Sequence, residues 1–109
     1  MVREIKEADW KVLRRLHPLA LDRFCERVLA EIESARRDDA RSFHQRYLDI
    51  FKIVERRDPE MARIFDNLKR SNALTMLAQM RSQGLLMEDE YSGLSPEARS
   101  AIELLLGTR

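Results

Sequence analysis

Apolar residues recur at three- and four-residue spacings along almost the whole chain, and no stretch alternates apolar with polar as a strand would. Trp10, Val12, Leu13 and Leu16 predict a short helix over residues 9–16, with Asp9 as its N-cap. His17-Pro18 then interrupts, because proline disfavours a helical residue before it and suits the first turn of a new helix. The next helix is predicted over residues 18–36. Ala20, Phe24, Val28 and Ile32 form one row on it, with Leu21, Cys25 and Leu29 alongside. Asp38-Asp39 predicts the start of another, running to about residue 56. Its stripe of Phe43, Tyr47, Ile50, Phe51 and Val54, widened by Leu48 and Ile53, predicts a central helix touched from more than one side.

Asp58-Pro59 is a second start signal, a capping residue followed by proline, and Met61, Ile64, Phe65 and Leu68 continue as a narrower stripe. Asp66-Asn67 and Ser71-Asn72 mark breaks. Ala73, Leu74, Leu77, Ala78 and Met80 lead to Gly84, which suits the left-handed residue past a helix C-terminus. A short turn of helix is expected through residues 88–91 to Gly93. Ser95-Pro96-Glu97 repeats the cap-then-proline signal, and Ala98, Ile102 and Leu105 run to Gly107. The expectation is an all-α chain, a compact bundle of five or six short helices forming one domain over residues 1–109.

Composition agrees with that reading: three glycines and three prolines leave few turns for a β-sandwich, and 36% of residues are charged. Basic and acidic residues nearly cancel, for a formal charge of +1. Residues 1–57 are slightly basic and 58–109 slightly acidic, too little contrast to argue for nucleic acid or an anionic membrane. Cys25 is the single cysteine, so no intrachain disulfide forms. Residues 1–7 lack the apolar run of a secretory leader, and no uncharged apolar stretch approaches a membrane span. Cytoplasm is the expected compartment.

Candidate chemistry is sparse. Arg14-Arg15, Arg36-Arg37, Arg56-Arg57 and Lys69-Arg70 resemble phosphate contacts, yet each doublet falls near a predicted helix C-terminus, where cations offset the helix dipole. Cys25, His17 and His44 are the thiol and imidazole groups of the chain, fewer than a structural zinc site needs. Arg23 with Glu26, Arg27 with Glu31 and Glu33 with Arg37 are expected as surface pairs, and Glu88-Asp89-Glu90 as the acidic first turn of a helix. Gly84, Gly93 and Gly107 are too scattered for a phosphate-binding loop. No residue is therefore assigned as catalytic, cofactor-binding or metal-binding, and no cofactor is expected. A ligand site would need an enclosed cavity near Cys25, His44 and Tyr47.

Apolar residues in unexpected places are the remaining signal. Leu85, Leu86 and Met87 fall in a connection, and Leu104, Leu105 and Leu106 are spread around the last helix. These six are the candidate interface, for a homo-oligomer or another protein. Residues 74–91 combine a leucine-containing helix, Gly84 followed by two aliphatics, and an acidic turn ending in Tyr91. That stretch resembles the short bacterial helical hairpin called SHOCT, with Met87 standing where Thr or Ser caps in that pattern. The resemblance implies a role in oligomerisation or tethering. The expected function is that of a small, bacterial-type cytoplasmic protein acting through protein–protein interaction, with self-association. The alternative is a nucleic-acid-binding transcriptional regulator, in which residues 59–84 would form a helix–turn–helix; the near-neutral charge argues against it.

Overall fold

The structure, a computed structural model, describes residues 5–107. The first four residues of the segment read above as leader-free lie outside them. The described chain is all-α, with helices α1 (Glu7–Arg36), α2 (Phe43–Phe65), α3 (Ala73–Ser82), α4 (Glu88–Ser92) and α5 (Pro96–Leu105), and a short 3-10 turn, Arg70–Asn72, ahead of α3.

Two of the predicted boundaries are absent. α1 passes through Pro18 and α2 through Pro59 without ending. A mid-helix proline removes one amide donor and leaves the carbonyl four residues earlier without its partner. Here those carbonyls belong to Arg14 and Glu55, which are exposed, as both prolines are. Water can hydrate them, so the break in the ladder costs less than it would inside a core. Continuity at Pro18 is further supported by its neighbour: His17 Nε2 lies 2.9 Å from the Phe65 carbonyl oxygen, and its ring meets Phe65 edge-on at 5.5 Å.

The other boundaries follow local chemistry. α2 starts at Phe43 rather than at Asp38-Asp39, because Ser42 and Gln45 form a reciprocal capping box: the Gln45 amide donates to Ser42 Oγ at 3.1 Å, and the Ser42 amide to Gln45 Oε1 at 2.9 Å. Asn67, with φ of 63°, turns the chain after α2, a conformation asparagine tolerates better than most residues. Gly84, at φ of 68°, closes α3 as predicted, with the Leu85 amide donating to the Met80 carbonyl at 2.9 Å. Ser95 caps α5, accepting from the Ala98 amide at 3.1 Å, with Pro96 in its first turn.

One buried cluster holds the fold. Leu13, Leu16, Ala20 and Phe24 of α1 meet Ile64 and Phe65 of α2, and Ala73, Met76, Leu77 and Met80 of α3. Leu85, Leu86, Tyr91, Leu94, Ala98 and Ile102 complete it from the C-terminal segment. Asp9 is the buried charged residue beside this cluster. It lies within the first turn of α1, not at its cap, and accepts from the Ser95 amide at 2.8 Å and from Ser95 Oγ at 2.6 Å. One carboxylate thus sits at the positive ends of two helices, α1 and α5.

The cluster occupies one end of the molecule. α1 has 30 residues and α2 has 23, and together they make an antiparallel hairpin that runs beyond the core. The chain measures 54 × 26 × 25 Å, with a radius of gyration of 16.9 Å. A compact chain of this length would have a radius near 13 Å (about 2.2·N^0.38). The bundle is compact at one end and a two-helix arm at the other.

Candidate functional site

Among the described residues, none from 25 to 63 is buried, although this span holds the distal half of α1 and nearly all of α2. The stripe read as the core-facing side of a central helix is instead the most exposed apolar face of the protein. Phe43 is 83% exposed, Tyr47 65% and Phe51 56%, with Val54 beside them. At about 100° per residue these four positions fall within a narrow arc of α2, one lateral side of the hairpin. Ile50, three residues after Tyr47, is half-buried at the edge of that arc. Leu29 of α1 is 63% exposed and shares with Val54 an open apolar groove of about 220 Å³, also lined by Phe24, Val28 and Met61.

Ion pairs as well as packing join the two helices of the hairpin. Glu31 of α1 accepts from Arg57 Nε at 2.7 Å and from Arg56 at 3.0 Å, and Arg57 also donates to Glu60 at 2.7 Å. The Arg57 hydrogen bond holds the Glu31 carboxyl below its usual range. At the tip, Arg41 pairs with Asp49, and Arg46 donates to the Arg36 and Arg41 carbonyls while lying over the Phe43 ring at 4.6 Å.

A second polar corner fastens the arm to the core. Arg23 donates to both oxygens of Glu90, at 2.7 and 2.8 Å, and to the Leu85 carbonyl at 2.9 Å. Arg27, one turn along α1, donates to the carbonyls of Gln83 and Gly84. Glu90 accepts in addition from the Met87 amide at 2.8 Å. These arginines therefore satisfy tertiary partners rather than Glu26 and Glu31, whereas the predicted Glu33–Arg37 pair is present at 3.1 Å. Hydrogen bonding to Arg23 lowers the Glu90 pKa. A depressed carboxylate pKa contributes stability at neutral pH that is lost as pH falls through the folded value. Glu90→Gln is thus expected to lower stability by about 1–2 kcal/mol at neutral pH. The gap to wild type should narrow in acid, as wild-type Glu90 gains its proton. Urea midpoints measured at neutral pH and near pH 3 check this; a gap that widens in acid would contradict the assignment.

The six residues of the predicted interface divide. Leu85 is 0% and Leu86 8% exposed, so both belong to the core: the turn at Gly84 directs the connection inward. Leu106 packs partly against the same cluster. Met87, Leu104 and Leu105 are exposed; both leucines border a groove of about 310 Å³ between α3 and α5, and Leu105 also borders one of about 260 Å³ that the end of α2 helps to line. The α2 face was missed because its apolar arc looked wide enough for a core helix, and an arc does not reveal what covers it.

The arginine doublets do not form a joint surface. Arg36-Arg37 alone ends a helix; Arg14-Arg15 and Arg56-Arg57 lie within helices, because α1 and α2 continue through their prolines. Arg56 and Arg57 face Glu31, while Arg70 pairs with Glu7 at 2.7 Å and stacks over Trp10. Cys25 lies 3.9 Å from Met61 Sδ, His17 is bonded to the α2 terminus, and His44 is exposed in the first turn of α2. The groove beside Cys25 is open and includes neither His44 nor Tyr47. Among the described residues no three His, Cys, Asp or Glu side chains converge as metal ligands, and no helix is long and apolar enough to cross a membrane. No protein-family model, curated protein or solved structure matches the chain.

Proposed function

We propose that this protein is a non-enzymatic, protein-binding helical module whose working surface is the exposed apolar side of the α1–α2 hairpin. One observation carries the reading. A span of 39 residues, 25–63, has no buried side chain, yet sets Phe43, Tyr47 and Phe51 in a row on its outside. Contiguous aromatic surface of this kind costs solubility and marks binding faces. Of the paired arginines, Arg37, Arg56, Arg57 and Arg70 have carboxylate partners within the chain, which favours protein over nucleic acid as the partner. The likeness of residues 74–91 to the SHOCT hairpin is consistent with an assembly role, although Leu85 and Leu86 serve the chain's own core. A lone cysteine fits the cytoplasm.

Site-specific photocrosslinking in the cells that make the protein tests this. A photoreactive residue in place of Tyr47 is expected to capture a discrete protein partner, and one in place of exposed Lys11, on the core end, is not. Equal capture from both positions, or none from either, would remove the reading.

A further inference from the structure

We infer that the occupant of the hairpin face is a second copy of this chain, paired about a two-fold axis so that two hairpins close into an antiparallel four-helix bundle. The inference rests on the protein-binding reading above and names its partner. The first argument is area. Three aromatic rings exposed by more than half, together with Leu29 and Val54, offer about 500 Å² of apolar surface, taking roughly 200 Å² for each ring. Two copies would bury about 1,000 Å² before any polar rim is counted, which reaches the size of a specific interface.

Spacing supplies the second argument. Phe43, Tyr47, Ile50 and Val54 follow one another at four, three and four residues, the alternation that keeps an apolar seam facing a partner helix. No charged side chain interrupts that seam until Arg57. A two-fold axis passing between Tyr47 and Phe51 sets Phe43 of one copy beside Val54 of the other, so every ring on the stripe meets an apolar neighbour. A self-complementary patch of this kind closes on itself and leaves no unpaired face. Each hairpin then acquires the buried seam it lacks alone, in the packing of a four-helix bundle.

Light scattering across a dilution series is expected to show twice the chain mass at high concentration and the chain mass after dilution. Tyr47→Glu and Phe51→Glu should each weaken pairing by about 30-fold or more, with unchanged helical circular dichroism. Leu104→Glu, on the separate α5 patch, should leave pairing unchanged. As a check independent of those variants, spin labels at Lys52→Cys in a Cys25→Ser background should show a dipolar coupling between the two copies that disappears on dilution. A wild-type chain that stays monomeric at every concentration overturns the inference, as does pairing abolished by Leu104→Glu and insensitive to Tyr47→Glu. In the monomeric case, crosslinks from Tyr47 to a different protein would leave the protein-binding reading standing, and their absence would remove both.

Discussion

Asp9→Ala is expected to lower the stability of the fold by about 3 kcal/mol, a large share of what a domain of this size possesses. The carboxylate is 2% exposed and accepts two hydrogen bonds from Ser95, one from the amide and one from the hydroxyl. Truncation deletes both bonds and strands the Ser95 amide in a partly buried site. It also removes a negative charge from the N-termini of α1 and α5, where helix dipoles favour one. Asp9→Asn keeps an acceptor oxygen but loses the charge, so its cost should fall between wild type and alanine. Chemical denaturation followed by circular dichroism measures all three; an alanine variant within about 0.5 kcal/mol of wild type would show that the Ser95 contacts contribute little.

Leu77→Ala is expected to be at least as damaging, at about 3–4 kcal/mol. Leu77 is fully buried at the middle of α3 and belongs to the cluster contributed by all five helices. The loss combines the transfer energy of the missing atoms with the cavity they leave. That cluster spans only the compact end, so a defect there has no second core to fall back on. Leu104→Ala, by contrast, removes a side chain 66% exposed and should stay within about 0.5 kcal/mol. Comparing the two melting curves separates leucines that build the core from those that decorate the surface. Equal effects would mean that α3 does not lie at the centre of the packing.

The fold class was legible in the sequence because helices announce themselves locally. The four-residue rows of α1, the serine cap of α5 and the glycine after α3 depend on residues a few positions apart. What escaped depends on residues far apart. Whether Pro18 and Pro59 end a helix turns on whether the carbonyls of Arg14 and Glu55 reach water, which is a matter of tertiary exposure. Asp38-Asp39 predicted the start of the helix that is α2, yet the decisive feature was the pairing of Ser42 with Gln45. Leu85 and Leu86 looked like surplus surface, since a connection is usually polar. In fact the corner they occupy is drawn inward by Gly84 and clasped by Arg23 and Arg27.

The exposed α2 face inverts the usual inference from apolar patterning. Phe43, Tyr47, Phe51 and Val54 have the periodicity of a buried stripe, and nothing among the described residues buries it. Sequence supplies the direction in which a helix presents its apolar side. It does not supply the identity of the surface opposite. That missing surface is what the dilution and crosslinking experiments address.

The contact between Asp9 and Ser95 also bears on the order in which the chain folds. It joins residues 86 positions apart, whereas the ion pairs of Glu31 with Arg56 and Arg57 join residues 25 and 26 apart. Closing a longer loop carries a larger entropic cost, about 0.6 kcal/mol for each doubling of length. The hairpin is therefore expected to zip early from its Ser42 turn, and the Asp9 latch to close last. Until the C-terminal segment docks on Arg23 and Arg27, the two long helices are a nearly free-standing arm, with their aromatic row already facing outward.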